Sequence, residues 1–255
     1  MKILRLPLFL CLFITITLSA QTKQITLEEI WNGTFRTERM DVLHSMKNGQ
    51  QYSVLNLDRN TKSTSIDVYD YKTLKKIKTL VNSSDINALN YFTDYTFSND
   101  ESKIILATNE KSIYRRSRLG NYYVYNTADK SITLISKNRI QEPTFSPDGT
   151  KVAYGFENNL YIKDLVSEAT TQITFDGEKN KIINGITDWV YEEEFAFVRA
   201  FEWNANSDKI AFIRFDETDV PEFSMDVYGT GLYQTQQVFK YPKAGENTAL
   251  VSLHI

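Results

Sequence analysis

The chain has 255 residues with 29 basic and 32 acidic side chains, a formal charge of −3, one cysteine and two histidines. A mildly acidic chain without a basic run gives no reason to expect a nucleic acid as its partner. The two histidines, His44 and His254, have no metal-like spacing, so ordinary structural roles are expected for both.

The first 20 residues have the pattern of a secretory signal peptide. Lys2 and Arg5 supply the positive start, Leu6–Ala20 is an apolar run, and small residues at its end form a cleavage site before Gln21. The run of about 15 residues is shorter than the roughly 20 that a membrane-spanning helix needs. We therefore predict an exported protein, periplasmic, extracellular or associated with the cell surface, whose mature chain 21–255 has no transmembrane span.

Removal of the signal peptide would change the chemistry that the chain can perform. Cys11 lies in the removed run, so the mature chain would have no disulfide, no thiol nucleophile and no cysteine metal site. Loss of Lys2 and Arg5 would leave 27 basic against 32 acidic side chains, a net charge of −5.

An internal repeat indicates the fold of the mature chain. Each copy is an aromatic strand end, a polar turn and an apolar strand. Three clear copies and one weaker copy are Phe97–Leu106, Phe145–Tyr154, Trp203–Phe212 and His44–Leu55. The clear copies begin 48 and 58 residues apart, a spacing typical of repeat architectures.

A second pair of strands follows each of the repeats that begin at His44, Phe97 and Phe145. The first of the two ends in an Asx residue, and the strands after it include Lys75–Leu80, Ile132–Ile135 and Thr171–Thr174. Four short strands in each unit of about 40–50 residues predict β-propeller blades. We predict an all-β chain of about four blades, with helix only in short turns such as Leu27–Ile30 and a glutamate-rich segment. The strand pattern alone also allows a sandwich; the repeat favours the propeller.

The second unit contains a longer hairpin than the third. In the second unit 29 residues separate Phe97, which begins the repeat, from the Asx residue that ends the first strand of the second pair. The corresponding separation from Phe145 in the third unit is 19 residues. The additional residues fall in Asn109–Asn121, which carries Arg115, Arg116 and Arg118. Extra length in a repeat often forms part of a binding face, and a planar guanidinium suits a substrate carbonyl or carboxylate. The alternative is a solvated loop with three exposed arginines.

Three consecutive glutamates lie in the segment Asp188–Phe195. On a strand their side chains would point to opposite faces, whereas on one helical turn they can share one side of the backbone. Asp188 is placed to cap such a turn, and Trp189, Tyr191 and Phe195 can pack it against neighbouring structure. Like charges held close repel each other, and an arriving ammonium group relieves that repulsion. The segment therefore predicts an amine-binding turn; the alternative is an acidic surface turn that binds nothing.

The string Asp-Trp-Val-Tyr-Glu-Glu-Glu-Phe at 188–195 resembles the double-glutamate motif of the dipeptidyl peptidase IV family, which belongs to the prolyl oligopeptidase-type serine peptidases. The resemblance implies that the motif lies on a short helix projecting from a β-propeller. It also implies that Glu193 and Glu194 hold the free N-terminal amine of a peptide substrate, with Glu192 as the preceding acid.

The arginine hairpin resembles a second element of the same family. The string Tyr-Arg-x-Ser at 114–117, followed by Tyr-x-x-Tyr, is similar to the family's loop whose arginine contacts the substrate backbone carbonyl. This similarity implies a substrate-binding role for Arg115 and none for Arg116 or Arg118. Further similar stretches extend the resemblance over essentially the whole mature chain: Ile25–Phe35, Leu43–Met46, Phe215–Pro221 and Tyr241–Gly245.

The sequence contains none of the parts that break a peptide bond in this family. Those parts lie on an α/β-hydrolase domain with a Gly-x-Ser-x-Gly-type turn. Neither such a turn nor alternating βα units occur here, so no catalytic residue and no catalytic domain are predicted in this chain. About four blades would be half of the family's eight-bladed propeller. We interpret 21–255 as the N-terminal part of a propeller in a longer peptidase; a four-bladed ring or a partner chain would be the alternative closure.

The resemblance implies that the parent protein is a serine-type dipeptidyl peptidase releasing X-Pro or X-Ala dipeptides, and that this chain alone is inactive. It implies no metal or organic cofactor, a peptide with a free N-terminus as partner, and a homodimer for the complete protein. A second hypothesis is a non-catalytic TolB-like periplasmic propeller that binds proteins or peptides, because the Phe-Ser-Pro-Asp-Gly-x-Lys-x-Ala string at 145–153 also resembles that repeat. A third is an intact but inactive binder of peptide amines.

Overall fold

The computed structural model describes residues 24–37 and 39–255, so the signal peptide predicted for residues 1–20 lies outside the described part. The chain divides into two compact units, one ending at Asp41 and the other comprising Val42–Ile255. In the described part of the first unit, α1 (Leu27–Trp31) follows Thr26, whose side chain and backbone exchange hydrogen bonds with Glu29. This reciprocal cap explains why the helix begins there, and it confirms the predicted helical turn.

Three sheets of the larger unit are four-stranded and antiparallel, with their strands adjacent in chain order. Blade I contains β1 (Leu43–Ser45), β2 (Gln51–Asp58), β3 (Ser63–Asp70) and β4 (Lys76–Asn82), and a 3₁₀ helix (Ser83–Asp85) follows it. Blade II contains β5 (Asp94–Phe97), β6 (Lys103–Ser112), β7 (Arg118–Asn126) and β8 (Ile132–Leu134). Blade III contains β9 (Gln141–Phe145), β10 (Lys151–Phe156), β11 (Asn159–Asp164) and β12 (Thr170–Gln172). The predicted unit of four strands is confirmed.

The fourth sheet, blade IV, has two insertions. Its strand β15 (Ile210–Asp216) pairs along one edge with both β13 (Ile182–Asn184) and β14 (Phe201–Trp203), and along the other edge with β18 (Leu250–His254). Helix α2 (Trp189–Phe195) is inserted between β13 and β14. A two-stranded hairpin arm, β16 (Glu222–Val227) and β17 (Thr235–Lys240), is inserted between β15 and β18. No helix among residues 24–37 and 39–255 is long and apolar enough to cross a membrane.

The core consists of layers between neighbouring blades. On β6, Ile104 and Leu106 pack towards residues of blade I, whereas Ile105 and Ala107 pack towards blade III. Successive side chains of a strand point to opposite faces, so one apolar strand can fill two layers. A third layer, which includes Ala153 of β10, joins blades III and IV. This side-by-side packing of sheets is the propeller arrangement that the repeat predicted.

The polar turns of the repeat connect the first two strands in blades I to III and connect β14 to β15 in blade IV. In two of them a serine hydroxyl donates to an aspartate two residues later, over 2.7 Å from Ser98 to Asp100 and 2.6 Å from Ser146 to Asp148. The long hairpin predicted in the second unit is also observed, because β6 continues to Ser112 and β7 begins at Arg118. Arg115 and Arg116 therefore lie in the turn beyond the paired strands of blade II, whereas Arg118 is the first residue of β7 and pairs with Ser112.

Candidate functional site

The glutamate segment forms a short helix at the edge of blade IV. The backbone of Asp188 is extended, and its carboxylate accepts a hydrogen bond of 2.9 Å from the backbone N–H of Tyr191. At the other end Ala196 has a left-handed conformation with φ of 61°. A side-chain cap at the start and a left-handed residue at the end limit the helix to two turns. The predicted helical turn and its aspartate cap are confirmed.

Aromatic contacts hold this helix in place. Trp189 lies 4.4 Å from Tyr241 between ring centroids, and Tyr191 lies 5.0 Å from Phe215. Phe195 packs on Tyr191 with ring centroids 5.0 Å apart and the rings tilted, but it stays 63% exposed. Aromatic pairs at such distances add roughly 0.5–1.5 kcal/mol beyond the area that they bury. Trp189 and Tyr191 therefore anchor α2, whereas Phe195 contributes less than the sequence suggested.

The first glutamate of the three, Glu192, joins α2 to the hairpin of blade II. Its side chain is among the most deeply buried of the described residues, with 1% exposed. Glu192 Oε1 accepts hydrogen bonds from the backbone N–H groups of Arg116 (2.6 Å) and Ser117 (2.9 Å). In return, Arg116 Nε donates to the backbone carbonyl of Glu192 over 3.3 Å. A carboxylate that accepts backbone N–H groups makes charge-assisted bonds, which are stronger than neutral ones, so Glu192 fixes the tip of the hairpin against the helix.

The second glutamate, Glu193, meets the arginine that the sequence selected. Arg115 Nε lies 3.0 Å from Glu193 Oε2, and the exposed fractions of the two side chains are 72% and 16%. Glu194 is exposed, and its carboxylate forms no hydrogen bond or ion pair with another residue of the described ranges. The structure thus brings Arg115 and Glu193 into direct contact and leaves the adjacent Glu194 available. Their roles in binding a substrate stay predictions.

The two other arginines of the hairpin are placed differently. Arg116 contacts the Glu192 carbonyl, as described above, and Arg118 makes a long hydrogen bond of 3.4 Å to the Ser112 hydroxyl. Both residues are exposed. Neither forms an ion pair with an acid in the described part of the chain. The sequence assigned no substrate contact to either side chain, and the structure shows mainly solvated guanidinium groups.

A second group of acids lies behind the helix. Burial and, to a smaller extent, the charge of Asp188 raise the pKa of Glu217 to about 7, against the opposing charge of Lys240. Burial also raises the pKa of Asp188 itself. Tyr114, in the hairpin turn, has a pKa of about 12 because it is buried and lies near the charges of Glu217, Glu192 and Asp188. Sequence reasoning missed this cluster, since its members come from three distant parts of the chain.

The described ranges offer no evident metal centre. No group of three or more His, Cys, Asp or Glu side chains in residues 24–37 and 39–255 is placed to hold a metal ion. The acids of the α2 segment have other contacts: Asp188 caps the helix, and Glu192 binds the hairpin backbone. Glu193 pairs with Arg115, and Glu194 is exposed. An arrangement with one paired and one free carboxylate beside a guanidinium can bind a cation and a neighbouring carbonyl at the same time.

Comparison with known proteins identifies the family of this propeller. Residues 98–255 match the family described as "Dipeptidyl peptidase IV (DPP IV) N-terminal region". The chain belongs to the dipeptidyl peptidase IV family. The match includes the repeat at 145–153, on which the TolB-like interpretation rested, so the dipeptidyl peptidase IV family accounts for that repeat as well.

Curated relatives and a solved structure agree with this assignment. Human prolyl endopeptidase FAP is 32% identical over 238 residues, covering 91% of this chain and 30% of the human protein. Dipeptidyl peptidase 4 of Felis catus is 34% identical over 167 residues, covering 64% of this chain and 22% of the cat protein. The crystal structure of Porphyromonas gingivalis dipeptidyl peptidase 4 matches with a TM-score of 0.82 at 36% identity, covering 91% of this chain and 33% of that one. The chain therefore spans about a third or less of the length of these dipeptidyl peptidase IV relatives.

Proposed function

We propose that this chain is the substrate-recognition propeller portion of an exported dipeptidyl peptidase IV-like serine exopeptidase. In this proposal the complete enzyme releases X-Pro or X-Ala dipeptides from peptides with a free N-terminus. Glu193 and Glu194 bind the α-ammonium of the substrate, and Arg115 orients a backbone carbonyl next to it. The observation that carries the proposal is the contact of 3.0 Å between Arg115 and Glu193 on two elements that project from different blades.

The electrostatics of the site suit a peptide amine. A free α-amino group titrates near pH 8 and is largely cationic at neutral pH. One carboxylate about 4 Å from it contributes up to about 4 kcal/mol at an effective dielectric constant near 20, before desolvation is subtracted. Glu194 is exposed and unpaired among the described residues, so it can meet the ammonium without first breaking an ion pair. Acylation of the amine removes the charge and with it this interaction.

Arg115 can bind substrate while it stays paired with Glu193. The ion pair uses Nε of the guanidinium, which leaves the two terminal nitrogens free to donate to a carbonyl oxygen. Glu192 directly precedes Glu193 and accepts a hydrogen bond from the backbone N–H of Arg116, the residue after Arg115. The backbone next to both members of the ion pair is therefore fixed before the substrate binds. An amine held at a fixed distance from a nucleophile elsewhere in the enzyme would restrict cleavage to the bond after the second residue.

The other parts of the proposal concern the complete protein. We place the Ser, Asp and His of catalysis on an α/β-hydrolase domain outside this chain, and we expect the chain alone to be inactive. Export through the N-terminal segment would deliver the enzyme to the periplasm, the cell surface or the medium. The complete protein is proposed to form a homodimer.

The experiment measures kcat/KM of the full-length peptidase for a Gly-Pro chromogenic substrate. We expect Glu193→Gln and Glu194→Gln each to lower kcat/KM by about 100-fold or more, which corresponds to about 2.7 kcal/mol. Glu202→Gln is the matched control, because Glu202 is an exposed acid of blade IV whose arginine partner, Arg199, lies 2.9 Å away. Unchanged kinetics in both α2 variants would show that the amine assignment is wrong.

A further inference from the structure

A second cavity lies behind the glutamate helix, separate from the proposed amine site. Its volume is about 900 Å³, and its wall contains residues of the blade II hairpin, the loops of blades III and IV, and strand β17. Tyr114, Glu217 and Phe239 are among the lining residues, whereas Glu193 and Glu194 are not. A cavity of this size can hold a small organic molecule.

Glu217 is the unusual member of this wall. The residue is 6% exposed, and among the described residues no donor hydrogen-bonds to its carboxylate and no base forms an ion pair with it. Lys240, whose charge opposes the rise in the pKa of Glu217, donates instead to the backbone carbonyls of Val220 (2.7 Å) and Thr218 (3.3 Å). A carboxylate that is shielded from bulk solvent, lines a cavity and has no partner of its own favours a cationic ligand in that cavity.

The surroundings of Glu217 select the chemistry of that ligand. Two aromatic rings of the wall, Tyr114 and Phe239, lie 5.8 Å apart between centroids, and aromatic faces attract cations. Two bases also line the cavity, Arg139 and Lys179, but both are exposed. The charged groups in the buried part of the wall are therefore acids, Glu192 and Glu217, and the basic groups are those that face solvent.

We propose that this cavity is a binding site for an organic cation, an alkylguanidinium or alkylammonium group on an apolar stem, with Glu217 as its counter-ion. The cationic head pairs with the Glu217 carboxylate, and the stem lies against Tyr114 and Phe239. The site differs from the proposed amine site. Its acid, Glu217, lies between β15 and the arm, whereas Glu193 and Glu194 lie on α2 and do not line this cavity.

Binding at this site depends on pH through the ionisation of Glu217. Acidic groups facing Glu217 are Asp188 and Glu192 of the α2 segment, with the phenol of Tyr114 on the hairpin. The opposing base is Lys240 of β17. The same cavity wall carries Arg139, Glu157 and Lys179 on the loops that precede β9, follow β10 and precede β13.

Burial raises the pKa of Glu217 to about 7, so the ionised fraction that can bind a cation increases through neutral pH. An apparent dissociation constant equals the intrinsic constant divided by the competent fraction, which gives roughly tenfold tighter binding at pH 8 than at pH 6.

Titration of butylguanidinium into the full chain, followed by NMR or calorimetry, tests this site. The probe keeps its charge across this pH range, and butylurea is its uncharged counterpart. We expect saturable binding of butylguanidinium, at least tenfold weaker binding of butylurea, and at least tenfold weaker binding in Glu217→Gln. Glutamine removes a buried charge at nearly constant shape, so this variant should fold, and circular dichroism checks that it does.

Two control variants distinguish this site from its neighbours. Glu157→Gln changes an exposed acid of the same wall, and the double variant Glu193→Gln, Glu194→Gln removes both acids of the proposed amine site; neither should change the affinity by more than about twofold. Absence of saturable binding, equal affinity in Glu217→Gln, or a loss confined to the double variant would each overturn the proposal. The outcome is independent of peptidase kinetics, so it stands or falls separately from the proposed function.

Discussion

Blades III and IV are consecutive sheets built from the same repeat, and they differ in what has been added to them. Blade III joins its four strands through short turns, one of which consists of Glu157 and Asn158 alone. Blade IV has α2 between the two segments that share one edge of β15, and the arm between β15 and β18. The apolar layer that joins the two blades is continuous. The regular strands therefore form the framework of both blades, and the glutamates of the candidate site lie on an insertion that leaves this framework unchanged.

The comparison also shows how an insertion is held. Blade III is stabilised by its own ladder and by its apolar neighbours, whereas α2 depends on contacts with distant segments. Glu192 accepts hydrogen bonds from the hairpin of blade II, 76 residues away from Arg116 in the chain. Substitutions in these contacts should therefore damage the site of blade IV while the repeat framework persists.

Replacement of Glu192 by alanine should have the largest effect on stability. It leaves the backbone N–H groups of Arg116 and Ser117 without their acceptor, and hydrogen bonds to a charged group contribute about 1.5–3 kcal/mol each. We expect the free energy of unfolding to fall by about 4 kcal/mol in urea titrations. Glu193→Ala is the control, because its ion pair with the largely exposed Arg115 is worth less than about 1 kcal/mol. Similar losses in the two variants would contradict the anchoring role.

The next effect is a pH dependence of the free energy of unfolding, which should arise from Glu217 in blade IV and not from an acid of blade III. The pKa of Glu217 in the folded protein, about 7, exceeds the ordinary value of 4.5, so the folded state binds this proton more tightly than the unfolded state. The resulting stability is complete below about pH 4.5 and is lost as the pH rises through 7, with a total of about 3 kcal/mol.

Unfolding free energies measured from pH 5 to pH 8 check this expectation. Glu217→Gln should remove the decline, whereas Glu157→Gln should keep it, because Glu157 is the exposed acid that directly follows β10 of blade III. An unchanged pH profile in Glu217→Gln would assign the decline to other groups.

A glycine at the base of the α2 insertion allows a smaller test. Gly185 has a φ of +71°, and a Cβ there would lie 2.5 Å from Leu160 of blade III. Gly49, in a turn of blade I, has a φ of +66° and no atom within 4 Å of the same position. Gly185→Ala should therefore destabilise the protein by about 2 kcal/mol more than Gly49→Ala, the difference being the steric clash alone. Equal thermal or urea midpoints for the two variants would mean that Leu160 moves aside without lowering the stability.

The helix cap of α2 should show the smallest effect. Asp188→Ala removes the acceptor for the Tyr191 N–H and should cost about 1 kcal/mol. Asp188→Asn keeps an acceptor and removes a carboxyl whose pKa burial raises, so its stability should match or exceed that of the wild type at pH 7. An alanine variant as stable as the asparagine variant would show that the cap does not limit the helix.

The sequence was sufficient to predict the parts that depend on local patterns. The repeats predicted the blades, Asp188 predicted the start of α2, and the long interval in the second unit predicted the hairpin that carries Arg115. These features follow from strand periodicity, turn residues and capping, all of which act within a few residues.

The functions of individual acids could not be predicted in the same way. Glu192, Glu193 and Glu194 are identical in the sequence, and only their contacts with a distant hairpin make the first buried, the second paired and the third exposed. Glu217 gave no signal either, because its environment is assembled from α2, the hairpin and β17. The separation of one edge of blade IV into β13 and β14 likewise depends on pairing with β15.

We propose above that Glu193 and Glu194 recognise the positive charge of a peptide N-terminus. The most direct measurement is the ratio of kcat/KM values of the full-length peptidase for Gly-Pro p-nitroanilide and for propionyl-Pro p-nitroanilide, which has the same number of heavy atoms but a methyl group in place of the ammonium group. We expect a ratio of about 100 or more in the wild type that falls to within about tenfold of unity in the Glu193→Gln, Glu194→Gln double variant. A ratio that stays the same in the double variant would show that these two glutamates do not recognise the amine.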